Sequence, residues 1–523
     1  MNSEILFDCI TALPDGMVEE AEAHRFRKTP RVLRYAGIAA AVIVAVGVVG
    51  MLSSRTPLTP HGSASGGGGV GVEDGIRYMH YVGPVLPLTA ADGAEGVTVT
   101  RSVDYDFAPY RSEQITYEHN GQTYSYDKSA REAVVTDSYL LTNETGEDQT
   151  LTLLYGAELR FNDALDALPR ITVDGAETET ELHAAAYAGV FADGTGRRSE
   201  TERLNLEEIR EWAGYAELLS DGQYQASAFA PLPTLDFPVT VYRVDGYALG
   251  ETDAPNPTLQ ISFSVTDEHA VVLTYGSNGG SNDFEAGRYT RIVGRVNDLR
   301  TAPMYLIVSG GDLADYELQG YRSGGANSGE ELDVSANVTR YETTMQDVLQ
   351  MVVDQHFGTD QSFQNRAYLY GIEGATVADA APREMLYGVA ADLLCAYGVF
   401  SENPAGRYFF GMLEDTFEAY VMQRILYQSF EVTVPAHGSV RVTATMRKSA
   451  SYDYTGERQR ADGYDLATQL GSTLRFTEQR ASVSNADLVH ILDNSFGFDP
   501  DAGITEVQLD LDTAHYWMQV QKR

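Results

Sequence analysis

Residues 125–128 come nearest to a catalytic motif in the types and spacing of their side chains. Ser125 and Lys128 fit the Ser-x-x-Lys pattern of penicillin-recognising enzymes, in which a serine nucleophile lies beside a lysine. A catalytic serine of this kind begins a helix, and a Lys-Thr-Gly segment follows it later in the chain. Here the motif lies in a strand-rich stretch with many tyrosines, and the sequence contains no Lys-Thr-Gly. We interpret the match as chance and predict no acyl-transfer site.

Metal-ligand patterns are also missing from the sequence. The ten histidines are scattered, none has another at i+4, and His-Glu-x-x-His does not occur. Asp499, Asp501 and Glu506 resemble oxygen ligands of a calcium loop but lack its twelve-residue spacing, so a β-turn before a strand explains them better. Paired carboxylates could indicate glycosidase chemistry, but in a chain with 75 acidic residues such pairs are expected by chance and do not indicate it. The sequence therefore predicts a protein that is not an enzyme and that has no metal or cofactor.

An apolar run over residues 36–52 decides the predicted topology. It is seventeen residues long and uncharged, and as a helix it would measure about 26 Å, the short end of a bilayer span. The basic residues on its N-terminal side are Arg25, Arg27, Lys28, Arg31 and Arg34. The positive-inside rule predicts a transmembrane helix over residues 35–52, with residues 1–34 in the cytoplasm and the rest outside the cell membrane. The alternative is a cleaved signal peptide, which would start nearer the N-terminus and end in a small-x-small site.

The first 24 residues carry an apolar stripe that has helical spacing. Its members are Ile5, Leu6, Cys9, Ile10, Leu13, Met17 and Val18. A helical hairpin this small cannot bury enough apolar surface to fold alone. Three alternatives follow: a cytosolic protein covers the stripe, the stripe lies on the inner leaflet of the membrane, or the helices stay frayed. The six acidic residues of the tail disfavour the leaflet, so we expect residues 1–24 to dock a cytoplasmic partner.

Charge and cysteine content restrict the remaining partners. The chain has 37 basic and 75 acidic residues and a net charge of −38, which repels nucleic acid and anionic surfaces. Its two cysteines, Cys9 and Cys395, would lie on opposite sides of the membrane, so no disulfide framework is expected. We predict no nucleic-acid partner, an unknown external ligand, and a fold that relies on large hydrophobic cores.

The fold class predicted from the patterning is α+β and mainly β: a membrane-anchored ectodomain with β-sandwich-like units and a helical insertion. A flexible Gly/Ser linker is expected over residues 53–74. The segments beyond it are a β-sandwich-like domain over 75–187, an α+β domain over 188–340, a helical segment over 341–428 and a β-rich segment over 429–523.

Two hairpins and three helices are the clearest elements within these segments. Strands over 133–143 and 149–159 join through a turn that contains Gly146, and a second hairpin over 430–450 turns at residues 435–438. Apolar residues at helical spacing predict helices over 206–219, 343–357 and 383–400. The run MYLIVSG at 304–310 is apolar on successive residues, which predicts a strand buried on both faces.

The N-terminal layout resembles that of a known class of proteins. The string SEILFDCITALPDGMVEEA at residues 3–21, the basic stretch and the anchor look like the start of single-pass regulatory membrane proteins of Gram-positive bacteria. These are similar in layout to anti-sigma factors, whose cytoplasmic part holds a sigma factor while the outer part senses a signal. The resemblance implies an envelope sensor and regulator whose tail docks a sigma factor or another cytosolic protein. The alternative is a passive surface-binding or structural module without a signalling role.

Overall fold

The computed structural model describes a mainly β body that begins at residue 77. The described ranges are 77–119, 122–161, 167–191, 206–249, 257–277, 280–283, 287–295, 303–322, 330–357, 381–396, 399–400, 411–453 and 461–523. The tail over 1–34, the helix expected over 35–52 and the linker over 53–74 lie outside these ranges. Strands occupy far more of the described chain than helices do, which confirms the mainly β class predicted from the sequence.

The elements are named in chain order. The strands up to residue 208 are β1 (Thr89–Ala90), β2 (Val97–Asp106), β3 (Glu113–His119), β4 (Gln122–Lys128), β5 (Glu132–Asn143), β6 (Gln149–Leu159), β7 (Arg170–Val173), β8 (Ala176–Glu177), β9 (Glu181–Ala184), β10 (Gly189–Phe191) and β11 (Leu206–Glu208). Those of the middle are β12 (Pro238–Leu249), β13 (Thr258–Val265), β14 (Val271–Tyr275), β15 (Gly280–Asp283), β16 (Arg288–Arg295), β17 (Met304–Ser309), β18 (Leu313–Tyr321), β19 (Glu331–Leu332) and β20 (Val334–Thr344). The last strands are β21 (Arg424–Val434), β22 (Ser439–Ser449), β23 (Ser451–Tyr452), β24 (Asp462–Ala467), β25 (Arg475–Ser484), β26 (Val489–Asn494), β27 (Glu506–Leu509) and β28 (His515–Lys522). The α-helices are α1 (Trp212–Leu219), α2 (Gln223–Ser227), α3 (Met345–His356), α4 (Arg383–Ala396) and α5 (Glu418–Val421).

A seven-stranded sheet of order β27-β25-β2-β5-β22-β7-β8 joins the two ends of the described chain. The four-stranded sheet β1-β6-β21-β9 also combines early and late strands. A second four-stranded sheet, β23-β24-β28-β26, is formed wholly by late strands. The middle of the chain forms the sheets β14-β17-β12-β20 and β15-β16-β13-β18-β19, and two-stranded ribbons are β3-β4 and β10-β11. Of the paired strands in the described chain, β2 and β25 run parallel and the others antiparallel.

The two expected hairpins are wrong, because neither connection joins strands that pair. β5 belongs to the seven-stranded sheet and β6 to the sheet β1-β6-β21-β9, and β22 and β21 are divided in the same way. The β5–β6 and β21–β22 connections therefore both cross from one sheet to the other. They lie side by side, because β5 pairs with β22 in one sheet and β6 pairs with β21 in the other. Asn143 ties the crossings together, since its Nδ2 donates to the carbonyl oxygens of Glu147 at 2.7 Å and Val434 at 3.1 Å. Turn residues reverse the chain but do not decide whether the flanking strands pair.

The main apolar core lies against the seven-stranded sheet. Buried and half-buried residues alternate along β5, because successive side chains of a strand point to opposite faces. The buried residues of β5 share one apolar cluster with residues of β21 and β24, among them Val135, Val432 and Leu466. Apolar surface removed from water stabilises the fold by about 25 cal/mol per Å², so this shared cluster holds the sheets together.

Helices α3 and α4 pack on the sheet β14-β17-β12-β20. β17 is buried in all but its last residue, as expected for an apolar run in the interior of a covered sheet. α3 begins with a capping box, in which the Thr344 hydroxyl accepts from the Asp347 N–H and the Asp347 carboxylate accepts from the Thr344 N–H. Leu349 of α3 and Leu386 of α4 share an apolar cluster with Ile307 of β17. This packing fixes α4 close to the sheet that contains β9.

The helix expected over 206–219 is shorter than its periodicity suggests. Leu206–Glu208 forms β11 and pairs with β10, and α1 begins only at Trp212. Glu211, the residue before α1, is extended, with φ −156° and ψ 160°. Strand pairing of residues 206–208 overrides their helical pattern, because tertiary contacts outweigh the small propensity differences between residues.

The predicted membrane location is contradicted by the helices that the structure describes. Between residues 77 and 523, none of the described helices is long and apolar enough to cross a bilayer. The longest of them, α4, has 14 residues, or about 21 Å against a hydrocarbon core of about 30 Å. We therefore correct the prediction of a single-pass protein of the cell membrane with an extracellular domain. The signalling role expected of the tail is not tested by the described residues and stays a prediction.

Candidate functional site

A groove lies beside β9 in the described part of the chain. Its cavity has a volume of about 320 Å³. One wall is β9 and the two residues after it, a second is the face of α4 from Pro382 to Asp392, and a third is the segment 227–233. The volume lies at the lower end of the range for ligand pockets in proteins, so the groove is large enough for part of a ligand.

Strand β9 presents unpaired backbone groups to this groove. It is the last strand of the sheet β1-β6-β21-β9, so one of its edges has no neighbouring strand among the described residues. The Ala185 N–H donates to the Ile425 carbonyl at 3.1 Å. In an antiparallel ladder, residues that bond to the neighbouring strand alternate with residues whose N–H and C=O point away from it. The N–H and C=O of Leu182 and Ala184 consequently point away from β21 and toward the groove. No described residue forms a hydrogen bond with them there.

The other walls of the groove leave this edge open. Past its C-terminal end the edge is covered, since the Ala186 N–H donates to Ser227 Oγ at 3.0 Å and Tyr224 Oη donates to the Ala186 carbonyl at 2.8 Å. The facing segments contain three prolines, Pro231, Pro233 and Pro382, none of which has an N–H to donate. As far as the described residues show, the open pairing positions of the edge are therefore those of Leu182 and Ala184.

Helix α4 turns a single stripe of residues toward the groove. Met385, Gly388, Val389 and Asp392 line the cavity, and their spacing of i, i+3, i+4 and i+7 puts them on one face. At Gly388 the helix lies close to the segment 227–233, because a Cβ on Gly388 would overlap Cδ2 of Leu232. Sequence patterning gives the adjoining core-facing stripe of α4, which shares Val389 with this one, so the groove face was not predicted.

The groove is acidic. Asp392 lies at its α4 wall, and the exposed carboxylates of Glu181 and Glu384 lie along the lining. Burial raises the pKa of Asp392, and the nearby Arg424 guanidinium opposes this shift. Arg424 donates to the carbonyl oxygens of Ala185 at 3.1 Å and Ala419 at 2.9 Å, so it forms hydrogen bonds to neutral acceptors. Three carboxylates against one guanidinium leave the lining with a negative charge near neutral pH.

A serine and a histidine meet beside the groove without forming a catalytic site. His183 Nε2 lies 2.9 Å from Ser429 Oγ, and the imidazole packs on Phe229 with the ring centres 4.5 Å apart. Burial lowers the pKa of His183, which weakens it as a base. Ser429 is not among the described residues that line the cavity, and its backbone lies inside the ladders to β6 and β9. No amide is therefore free beside Ser429 in the described chain to stabilise an oxyanion.

Cys395, one turn beyond the groove face of α4, is equally unsuited to covalent chemistry. It is a free, half-buried thiol. Burial, and secondarily the charge of Asp392, raises its pKa to about 12. The thiolate is the reactive form of cysteine, and the raised pKa disfavours that form at neutral pH.

The residues singled out in the sequence do not meet in this groove. The tail residues expected to dock a partner, Ile5, Leu6, Cys9, Ile10, Leu13, Met17 and Val18, lie outside the described residues, and that docking stays a prediction. Ser125 is exposed on β4, not at a helix start. Asp499 caps a 3-10 turn, with its Oδ1 accepting from the Ala502 N–H at 3.1 Å, ahead of β27. Within the described ranges, no three His, Cys, Asp or Glu side chains are arranged to hold a metal ion.

Comparisons with protein families, with curated proteins and with solved structures give no match to this chain. The resemblance to regulatory proteins of Gram-positive bacteria therefore stays a prediction.

Proposed function

We propose that the protein is a binding module that holds an extended segment of a protein partner in the groove beside β9. The single observation that supports this most is the pair of unpaired residues, Leu182 and Ala184, whose backbone groups face the cavity. An extended peptide that runs along such an edge gains main-chain hydrogen bonds whatever its sequence.

The geometry suits one added strand. Leu182 and Ala184 each offer one donor and one acceptor, so a peptide laid beside them can form four hydrogen bonds. The prolines of the facing walls do not compete for those groups. Alternate side chains of the peptide would point toward α4 and toward the segment 227–233, which supply apolar contacts from Met385, Val389 and Leu232.

The proposed scaffold for this groove is a β-sandwich unit. The seven-stranded sheet shares one apolar cluster with the two four-stranded sheets that contain β21 and β24. Face-to-face sheets that enclose a common core are typical of sandwiches. Because β9 is at the end of one of these sheets, the rigid unit would present its edge to the partner without a change of fold.

A screen of extended peptides against the full chain tests the proposal. Peptides that bind should lose affinity when backbone amides are N-methylated at every second position, and should tolerate methylation at the positions between. The loss should be about tenfold or more at each sensitive position, because one ladder hydrogen bond is removed and a methyl group enters the ladder. Tight peptide binding with equal sensitivity at successive positions would contradict strand addition, and so would the absence of any bound peptide.

A further inference from the structure

The carboxylate of Asp392 is the one charged group of α4 that lines the groove from a half-buried position. It occupies the last place in the stripe that begins at Met385. No described residue donates a hydrogen bond to it, although Arg424 acts on it electrostatically. Side chains on either side, Ala391 and Leu393, are buried in the core. Asp392 is therefore a half-buried carboxylate that has no hydrogen-bond donor among the described residues.

A half-buried carboxylate is only partly solvated, so each hydrogen bond that it accepts stabilises it. Arg424 acts on Asp392 electrostatically, while its Nη1 and Nη2 donate to the carbonyl oxygens of Ala185 and Ala419. A donor that enters the groove from a ligand would supply the hydrogen bonds that Asp392 lacks. A cationic donor would do so most strongly, because charge-assisted hydrogen bonds are about twice as strong as neutral ones.

The surroundings of Asp392 favour a cation over a neutral donor. Glu181 and Glu384 lie exposed on the lining of the same groove, and the whole chain carries a net charge of −38. A field of this sign attracts basic segments and repels acidic ones. Apolar side chains at the wall, Met385 and Val389, can pack along the methylene stem of a lysine or arginine while its charged end reaches the carboxylate.

We infer that the segment bound beside β9 carries a lysine or arginine whose charged group pairs with the Asp392 carboxylate. This inference rests on the proposed peptide-binding function and adds the chemistry of the partner. The partner is then a protein with an exposed, extended, basic segment. An acidic segment would be excluded by Asp392 and by the two carboxylates of the lining.

The test compares matched peptides on the full chain and on an Asp392→Asn variant. A bound peptide that contains a lysine is remade with norleucine, which keeps the stem but removes the charge. On the unaltered protein the exchange should weaken binding about thirtyfold, the typical loss for one partner of a desolvated charge pair. On Asp392→Asn the two peptides should bind within about threefold of each other. Asp354→Asn is the control, because Asp354 is an exposed carboxylate of α3 that does not line the groove.

The outcomes separate this inference from the proposed function. If peptides bind with the alternating sensitivity to N-methylation but show no preference for basic residues, the inference fails and the binding module stands. A lysine preference that persists in Asp392→Asn also overturns the inference. If no peptide binds, both fail. Thermal unfolding of Asp392→Asn shows whether the variant is folded. If it is not, the affinity of the unaltered protein for the lysine peptide is measured as the pH is lowered. That affinity should fall as Asp392 becomes protonated.

Discussion

The guanidinium of Arg101 and the carboxylate of Asp137 form a two-point ion pair inside the main core. The Nε to Oδ1 distance is 2.9 Å and the Nη2 to Oδ2 distance is 2.8 Å, and both side chains are completely buried. Arg101 also donates to the Ala467 carbonyl at 2.7 Å, and Asp137 accepts from Tyr139 Oη at 2.6 Å. The pair therefore links β2 and β5 to the end of β24 through a network in which the charges are satisfied.

Removal of one member of this pair should be far more costly than removal of both. Arg101→Met leaves the Asp137 carboxylate buried without its counter-charge, so the free energy of unfolding should fall by about 3–5 kcal/mol. The double variant Arg101→Met/Asp137→Leu should lose less, because no buried charge remains. Urea unfolding measures both values. A double variant at least as unstable as Arg101→Met would show that the ion pair itself stabilises the core.

A proline at Ala184 should block the groove edge without unfolding the sheet. The Ala184 N–H faces the groove and not β21, so its loss removes a pairing position but no existing ladder bond. Ala184→Pro should abolish peptide binding while the free energy of unfolding changes by about 1 kcal/mol or less. Glu177→Pro is the matched control, since Glu177 lies on the outermost strand of the seven-stranded sheet, β8. Equal peptide affinity of the two variants would rule out β9 as the binding edge.

His356 should make the protein sensitive to acid. Burial, and secondarily the charge of Arg383, lowers its pKa to about 3, and its ring stacks on Phe417 with the centres 3.6 Å apart. The unfolded chain takes up a proton near pH 6.5, whereas the folded chain does not until about pH 3. Stability from this group is therefore full above pH 6.5 and falls progressively as the pH drops toward 3.

The variant His356→Phe should flatten that part of the stability curve. Phenylalanine fills the aromatic site and does not titrate, so the decline of the unfolding free energy between pH 6.5 and 4 should be smaller by about 2 kcal/mol or more. His490→Gln serves as the control, because His490 is exposed. Urea unfolding at several pH values gives the curves. Unchanged curves in His356→Phe would show that the buried imidazole does not govern the acid response.

A methyl group at Gly463 should weaken the attachment of the segment that precedes β1. A Cβ on Gly463 would overlap the ring and hydroxyl of Tyr78, which is 2% exposed. Gly463→Ala should therefore displace Tyr78 and reduce the free energy of unfolding by about 1–3 kcal/mol. Gly146→Ala is the comparison, because the nearest atom to a Cβ there is 3.8 Å away. Limited proteolysis near residue 78 should be faster in Gly463→Ala alone, and equal rates would contradict the expected displacement.

The positions of the strands could be predicted from the sequence, but their pairing could not. Alternation in residues 133–143 is a local property, and the structure has a strand there. The partner of that strand depends on core packing across the chain: β5 pairs with β2 and β22 and not with the adjacent β6. Similarly, helical spacing located α3 and α4 to within a few residues, because buried apolar residues recur at helical spacing in both.

The groove could not be predicted, for two physical reasons. Leu182 and Ala184 contribute their backbone, which every residue carries, so their side chains give no signal of the role. Asp392 did leave a signal, since a carboxylate between Ala391 and Leu393 interrupts an apolar stretch of a helix. That signal indicates a special environment but not a binding partner, because the facing walls come from distant segments of the chain.

The division of one sheet between early and late strands delays its completion during protein synthesis. Ser138 of β5 and Thr443 of β22 are hydrogen-bonded neighbours that lie 305 residues apart in the chain. At about 5–20 residues per second, a ribosome needs about 15–60 s to supply the missing strand. Over that interval the nascent β2 and β5 can pair with each other, but their outer neighbours β25 and β22 are not yet synthesised. The strands around Val244 and Ile261, in contrast, already contain a complete core cluster of their own. Chaperones that shield open strands would therefore act on the first third of the nascent chain, and the middle would condense without them.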